Sequence, residues 1–458
     1  MTCLYCYSMI ITKNELRQVV FWDFYIKIWD IIGQSLVIRQ ELSLHNKQTL
    51  LSRLFLLLLT GLLLALPAAA QEPDEHPLLR MLALVPDVPE VRETLVGYAD
   101  YRAMESVRGI DMPTAQDFFD RTELSAQWIA TSIGMSTGMR MEFFLLYLED
   151  MPRLVGFGFF DIDQTLVFGE PPSMGMVLEG DFPPERIAAA HSARGFVEHE
   201  IGGVTVWCSP DGCDDGLRQN IKEREPGNPF GGSLGRREPL AVFSDSLLGN
   251  SASDSVVEAM IAAQQGEQRS LAESLDYGAI AEAISSGGTL VQIQFVSPLQ
   301  LGLDPAMLMM EDTSSIREIV SEYGDLPPYA LAAFADVGVE GEQVALIALA
   351  YADAELAQAA AEELAARLVT FESLRTGQPL VNYFEDLDAV IGEPYVYESE
   401  TNGWAVALLP VHYPIPSNEP SEDSPRYTAS GLVYRQLISE LYSRGLYFLG
   451  TDFSALEE

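Results

Sequence analysis

The pattern of apolar and polar positions predicts a compact set of strands and a helix in the first half of the chain. Apolar runs rich in Phe and Val at residues 154–160 and 174–179 predict two strands, with a turn rich in Gly and Pro between them. A helix is predicted next, because Pro184 suits a first helical turn and Gly195 suits the position just past a helix end. A further strand is predicted at residues 204–208.

A second stretch shows the same order of elements. Apolar runs at residues 330–339 and 344–351 predict two strands, and Asp353 is a capping residue type placed directly before a predicted helix. The repeated strand–strand–helix order predicts an α+β protein with two related two-layer sandwich units of ferredoxin-like ββα pattern. We assign these units to residues 151–300 and 301–413.

The segments on either side of these units are predicted to differ from them. An approximate 3.6-residue period at residues 89–107, followed by shorter helical stretches, predicts a mostly helical N-terminal cap over residues 71–150. Residues 414–426 are acidic and rich in Pro and Ser, which is typical of a disordered linker. A last helix at about 431–444 completes a C-terminal region that we assign to residues 414–458.

An apolar run of 14 residues at positions 54–67 is preceded by basic residues and followed by small residues up to Ala70. These are the three parts of a secretory signal peptide, which we assign to residues 44–70 with cleavage after Ala70. An uncleaved anchor is the alternative, although a membrane span needs about 20 apolar residues. Residues 1–43 are interpreted as lying upstream of the true start or as an extended leader. The sequence thus predicts a protein exported to the periplasm, the cell surface or the medium, without a membrane span in the mature chain.

The charge balance limits the classes of partner. The chain has 27 Lys and Arg against 67 Asp and Glu, for a formal net charge of -40. Residues 1–70 hold 6 of the basic and 4 of the acidic residues, so the mature chain has 21 against 63, a charge of -42. Such a surface repels phosphate backbones, which argues against nucleic acid as a partner. It also suits the simpler purpose of keeping an exported protein soluble.

Two cysteines remain after the predicted leader. Cys208 and Cys213 bracket Ser-Pro-Asp-Gly, in which Pro210 and Gly212 suit positions of a type I turn. The pair should therefore face each other across a hairpin, where a disulfide is geometrically possible and export favours it. A redox-active or metal-binding role is the alternative, but no histidine or second cysteine pair supports it. No cofactor is predicted.

Residues 216–239, called the basic loop below, form a Gly- and Pro-rich excursion between predicted strands. It carries five of the basic residues of the mature chain, including Lys222, the only lysine after position 70. Long surface loops frequently carry function, so we predict a contact site for an acidic partner or for the protein's own acidic surface. The predicted contact residues are Arg218, Lys222, Arg224, Arg236 and Arg237.

Two patterns suggest other chemistry. Residues 134–138 match the G-x-S-x-G nucleophile elbow with Ser136 as the nucleophile, and His412 is the histidine placed late in the chain that such a triad requires. A turn between helices explains the same residues more simply. Acidic clusters offer oxygen ligands for calcium but lack the twelve-residue loop of an EF-hand, and solvated turns are the simpler interpretation. The calcium candidates are Asp161, Asp163, Asp211, Asp214 and Asp215.

The order of units, with SLAESLDYGAIAEAI following a strand and a helix, resembles exported bacterial proteins of uncharacterised function that repeat a ferredoxin-like strand–helix module. The resemblance covers residues 150–400 and implies a fold without implying catalytic residues. The sequence therefore favours a non-enzymatic binding or scaffolding protein of the envelope or extracellular space, with an unidentified protein or small ligand as partner. The alternative is an extracytoplasmic hydrolase that uses serine or carboxylates.

Overall fold

A continuous antiparallel sheet of 13 strands runs through the part of the chain that the structure describes. This structure is a computed structural model that describes residues 76–111, 114–132, 135, 147–301, 326–373, 375–417, 429–443 and 445–450. All of these residues belong to one compact unit. The predicted leader at residues 1–70 lies outside the described residues.

The strands of the sheet are defined by long apolar or alternating runs. Their bounds are β1 Val96–Asp100, β2 Ile162–Phe168, β3 Gly175–Gly180, β4 Val197–Ile201, β5 Val204–Cys208, β6 Leu240–Val242, β7 Leu247–Ser251, β8 Thr289–Val296, β9 Leu331–Val339, β10 Glu342–Tyr351, β13 Val390–Ile391, β14 Tyr395–Glu398 and β15 Ala405–Pro414. A separate two-stranded ribbon joins β11 Glu372–Ser373 to β12 Gln378–Pro379. The order across the sheet is β13-β15-β10-β9-β8-β1-β2-β3-β7-β6-β5-β4, and β14 also pairs with β15.

Helices cover both faces of this sheet. Their bounds in the described ranges are α1 Pro77–Leu82, α2 Pro89–Arg92, α3 Tyr101–Arg108, α4 Ala115–Asp120, α5 Thr122–Ser132, α6 Met151–Val155, α7 Pro184–Ala193, α8 Asp254–Gln264, α9 Leu275–Gly287, α10 Pro298–Leu301, α11 Ala354–Thr370, α12 Leu380–Glu385 and α13 Leu432–Tyr442. Helices α1 and α9 pack on one face, whereas α3 and α6 pack with α11 and α13 on the other. Asp353 accepts from the backbone N–H groups of Glu355 and Leu356, which confirms the predicted cap of α11.

The predicted α+β class is confirmed, but the arrangement as two separate units is not. The strand–strand–helix order occurs in both stretches, as β2–β3–α7 and β9–β10–α11. Strand β8 of the first predicted unit nevertheless pairs directly with β9 of the second, so both contribute to one sheet. The physical reason is that both strands are buried on both faces, and such strands take central positions in a sheet.

The helical interpretation of residues 89–107 is wrong in its middle. Helix α2 ends at Arg92, and β1 follows as a central strand between β2 and β8. Val96 and Tyr98 are buried in the core on one face of the sheet, and Ala99 lies in the core on the other. Because apolar residues occupy both faces, this short stretch suits a central strand better than a surface helix. Residues 71–150 therefore supply part of the sheet as well as helices.

The strand predicted at residues 154–160 is also wrong, since that stretch ends α6 and then forms a 3₁₀ turn, Phe159–Asp161. Phe157 and Phe159 are buried, so the apolar run fills the core without joining the sheet. Strands β3, β5, β9 and β10 confirm the predictions for their stretches, and β5 matches its predicted bounds at 204–208. None of the helices within the described ranges combines the length and the apolar character of a membrane span.

A buried polar cluster lies between the sheet and the start of α13. Asp336 on β9 is fully buried, and its carboxylate accepts hydrogen bonds from Tyr413 Oη at 2.8 Å and Gln292 Nε2 at 3.3 Å. Ser430 Oγ accepts a bond from Gln343 Nε2 at 3.0 Å. Burial raises the pKa of Asp336 to about 6, against the opposing effects of the hydrogen bonds from Tyr413 and Gln292 and of the charge of Arg108. This cluster fixes the point at which the C-terminal helix meets the sheet.

Candidate functional site

The β4–β5 hairpin at one edge of the sheet, with the disulfide-closed turn after β5, positions the basic loop; this unit is called the disulfide hairpin below. Strands β4 and β5 pair in antiparallel register, and Cys208 and Cys213 form the predicted disulfide across the turn after β5, with their Cα atoms 4.8 Å apart. Gly212 N donates to Ser209 O at 3.0 Å, so the turn is also closed by its backbone. The basic loop leaves directly from this turn and returns to the sheet at β6.

The basic loop is an ordered structure held by bonds within itself. Arg224 Nε donates to Ser233 O at 2.5 Å, and Glu225 N donates to Gly232 O at 2.9 Å. Gly235 has φ 64°, and a side chain there would collide with the carbonyl oxygen of Asn220. Glycine is therefore required at this close approach of two backbone segments.

An arginine cleft of about 210 Å³ lies between the basic loop and the end of α7. Its base is Phe196, with the guanidinium of Arg194 4.8 Å and that of Arg237 5.7 Å from the ring centroid. Both distances are within the range of a cation–π contact, which holds planar guanidinium groups in fixed positions. The cleft is lined by Arg194, Phe196, Glu223, Arg224, Glu225, Gly235, Arg236 and Arg237.

Ion pairs within the cleft neutralise part of its positive charge. Arg194 Nε donates to Glu225 Oε2 at 2.9 Å, and Arg237 lies 3.3 Å from Glu223. The lining holds four arginines and two glutamates, a formal charge of plus two, and Glu238 just outside the lining pairs with Arg236. On a chain with a formal net charge of -40, this local excess of guanidinium groups is suited to an anionic group.

An apolar groove of about 230 Å³ adjoins the arginine cleft, and Arg236 lines both. Burial raises the pKa of Glu238 in this groove to about 7, although Arg236, whose Nη1 lies 3.6 Å from Glu238 Oε1, acts in the opposite direction. The surface thus places an apolar contact area beside a positive one. The groove is lined by Val167, Pro171, Pro172, Met174, Gly175, Met176, Pro229, Gly231, Ser233, Arg236, Glu238, Asn250 and Ala252.

His191 packs against Phe196 of the cleft and adds no charge to the cleft. Its ring lies edge-on to Phe196, with the centroids 5.2 Å apart, and also packs against Trp207. Burial lowers the pKa of His191 to about 4, so the ring is neutral at pH 7, and its Nδ1 lies 3.0 Å from Ile187 O. The histidine therefore has a packing role.

The predicted contact residues divide into two groups. The structure brings Arg224, Arg236 and Arg237 together in the arginine cleft. Lys222 is exposed on the neighbouring 3₁₀ turn, and Arg218 lies 3.9 Å from Asp211 outside the lining. Sequence reasoning missed two members of the cleft, Arg194 and Phe196. The sequence feature that could have identified them is the end of α7, where an arginine and an aromatic residue flank Gly195.

The calcium candidates do not form one group. Asp161 and Asp163 line a separate cleft of about 310 Å³ with Asp181 and Asp245. In that cleft Arg102 Nε donates to Asp163 Oδ1 at 2.6 Å, and Asp161 accepts from Gly158 N at 2.7 Å. The side chains of Asp214 and Asp215 lie outside the described part of the chain. Calcium binding stays a prediction.

The nucleophile elbow falls mostly outside the described residues, and Ser136 is among the positions that are not described. His412 lies on β15, and its Nδ1 is 2.9 Å from Oε1 of Glu342 on β10. A histidine oriented by a carboxylate is one part of a hydrolytic triad. The serine hydrolase hypothesis stays a prediction.

Comparisons with known proteins give weak structural likenesses. Crystal form I of TP0453 is 9% identical, with a TM-score of 0.32, and the match covers 79% of this chain and 96% of that one. Crystal form III of TP0453 is also 9% identical, with a TM-score of 0.29, covering 72% and 92% of the two chains. Scores of this size do not define a shared fold, and nothing about function follows from them. No family model and no curated protein matches the chain.

Proposed function

We propose that this chain is an exported, non-enzymatic binding protein whose arginine cleft receives an acidic segment of a partner protein in the envelope or extracellular space. The observation that carries the proposal is the guanidinium of Arg237, which lies over the Phe196 ring, 5.7 Å from its centroid, in the same cleft as the exposed Arg224. The guanidinium of Arg194 on the same ring already donates to Glu225 and to Leu154 O, so it adds positive charge to the cleft and supports the ring. The cation–π contact restrains the guanidinium of Arg237, and its fork of N–H donors matches the geometry of a carboxylate. The predicted signal peptide supports the exported location.

The overall negative charge of the protein makes such a site selective. At a distance, a net charge of -40 repels an acidic partner, but repulsion between exposed charges is screened beyond about 8–10 Å at physiological salt. At contact, the cleft arginines lie within hydrogen-bond reach of a carboxylate, and these short-range interactions dominate. Only a partner that presents its acidic groups to the cleft satisfies both conditions.

The neighbouring apolar groove adds area to the same contact. Its proline and methionine side chains provide an apolar surface that adapts to the shape of a partner. Because Arg236 borders both the groove and the cleft, one bound segment reaches both when an apolar residue follows its acidic residues. The preferred ligand is therefore an acidic segment flanked by apolar side chains.

A titration with a dye-labelled peptide of glutamates flanked by leucines tests this proposal. The double variant Arg224→Glu/Arg237→Glu reverses two accessible charges of the cleft, and we expect its affinity, measured by fluorescence anisotropy, to fall at least about tenfold, or ~1.4 kcal/mol. The matched control Arg121→Glu/Arg186→Glu makes the same charge change at exposed positions outside the cleft. Equal affinity for all three proteins, or an equal loss in the control, would contradict the proposal.

A further inference from the structure

A histidine and the two cysteines converge at the disulfide hairpin. One ligand atom each of His199, Cys208 and Cys213 lies within 4.8 Å of the other two, and the described residues contain no other such group of three or more His, Cys, Asp or Glu. The convergence follows from the sheet register. Val197 pairs with Cys208 and His199 pairs with Val206, so His199 and Cys208 project from the same face of the hairpin two residues apart.

This set of ligand atoms has the chemistry of a zinc site. Zn²⁺ prefers thiolate sulfur and imidazole nitrogen, with bonds of about 2.3 Å and 2.0–2.1 Å respectively. Ligands at such distances from one ion lie within roughly 4 Å of one another. On zinc binding the imidazole of His199 therefore moves closer to the sulfurs than the present limit of 4.8 Å, and the two sulfurs, once reduced, move apart from their bonded distance. While the disulfide is intact, both sulfurs are bonded to each other and do not provide thiolates.

We infer that reduction of the disulfide converts this end of the hairpin into a zinc-binding site formed by His199, Cys208 and Cys213, with a fourth position open to solvent. A dithiol is the reductant. Its thiolate attacks the sulfur of Cys213, which is partly exposed whereas Cys208 is buried, and forms a mixed disulfide. Its second thiol then closes a cyclic disulfide and leaves both cysteines as thiols. Zinc binding displaces one proton from each thiol to the solvent.

The hairpin keeps the ligands in place without the disulfide. Ser209 and Gly212 form a backbone bridge across the turn, and β5 is paired on one side with β4 and on the other with β6. Cys208 packs in a small core with Val206, Val257 and Ile261. His199 is exposed, so the open side of the site admits an ion from solvent. A site whose ligands are held before binding loses little conformational entropy when the metal arrives.

The test measures zinc affinity of the purified protein in both redox states. The protein is reduced with dithiothreitol, freed of it under nitrogen, and titrated with zinc against a chromophoric chelator. We expect one zinc ion per reduced chain and none at this site in the oxidised chain. His199→Ala should weaken the affinity at least about tenfold, since changing groups that merely orient a ligand already costs roughly 10–100-fold. The control His412→Ala, near the opposite edge of the sheet, should bind as the parent does.

Three results would overturn the inference. The first is a reduced parent that binds no more zinc than the variant Cys208→Ser/Cys213→Ser. The second is a His199→Ala variant that binds as tightly as the parent. The third is loss of the near-ultraviolet circular dichroism of the folded chain on reduction, because the proposed site requires the β4–β5 hairpin to stay intact.

Discussion

Replacing Gly431 with alanine is expected to lower the free energy of unfolding by ~3 kcal/mol. Gly431 has φ 61° and is the N-cap residue directly before α13, and an added Cβ would lie 2.7 Å from Oδ2 of the buried Asp336 and 3.0 Å from Nε2 of Gln292. The substitution therefore combines left-handed backbone strain with a steric clash inside the buried polar cluster. Urea denaturation of the purified protein measures the change.

Gly109 is a matched control for the strain component. It has φ 60° and ψ 39°, against 61° and 35° at Gly431, yet an added Cβ at Gly109 meets nothing within 4 Å. Gly109→Ala should therefore cost about 1 kcal/mol, the strain of the left-handed conformation alone. Equal losses for the two variants would show that the C-terminal helix does not press against the polar cluster as the structure describes.

Asp336→Asn is expected to stabilise the protein at neutral pH and to have little effect in acid. The folded-state pKa of Asp336 is about 6, above its usual value of 3.8, because burial favours the protonated form. The stability contributed by this proton is present below about pH 3.8 and is lost as the pH rises through 6. Asparagine keeps an oxygen acceptor for Tyr413 and has no proton to lose, so the variant escapes that loss.

The measurement is urea denaturation of the parent and of Asp336→Asn at pH 4 and pH 7.5. The free energy of unfolding of the variant relative to the parent should increase by on the order of 2 kcal/mol from pH 4 to pH 7.5, since each tenfold change in proton affinity is about 1.4 kcal/mol. Tyr413→Phe removes the hydroxyl that stabilises the ionised carboxylate, so it should destabilise more at pH 7.5 than at pH 4. An Asp336→Asn variant that is less stable than the parent by the same amount at both pH values would contradict the assigned ionisation.

The central strands were predictable because burial on both faces leaves continuous apolar runs. Strands β9 and β10 follow their predicted apolar runs, and Asp353 was correctly assigned as the cap of α11. The single sheet was not predictable, because local pattern does not tell which strands become neighbours when they are far apart in sequence. The edge strand β4 gave no pattern at all, since most of its side chains are exposed.

The candidate site was predictable only where its residues are close in sequence. The basic loop and the disulfide follow from spacing and turn chemistry within residues 208–239. Arg194 and Phe196 were not predicted because it is the pairing of β4 with β5 that brings them next to the basic loop. The same pairing brings His199 close to the cysteines. Composition shows a basic loop on an acidic chain, but the aromatic base that positions its arginines is visible only once the chain is folded.

The most direct test of the proposed binding surface uses Lys222, which is exposed beside the arginine cleft. It is the only lysine in the sequence after the predicted leader. An amine-reactive crosslinker applied to intact cells that express the protein should give a discrete adduct with a partner. The adduct should disappear in Lys222→Arg and in Arg224→Glu/Arg237→Glu, and persist in Arg121→Glu/Arg186→Glu. An adduct that survives Lys222→Arg, or that is unaffected by reversal of the cleft charges, would contradict binding at the basic loop.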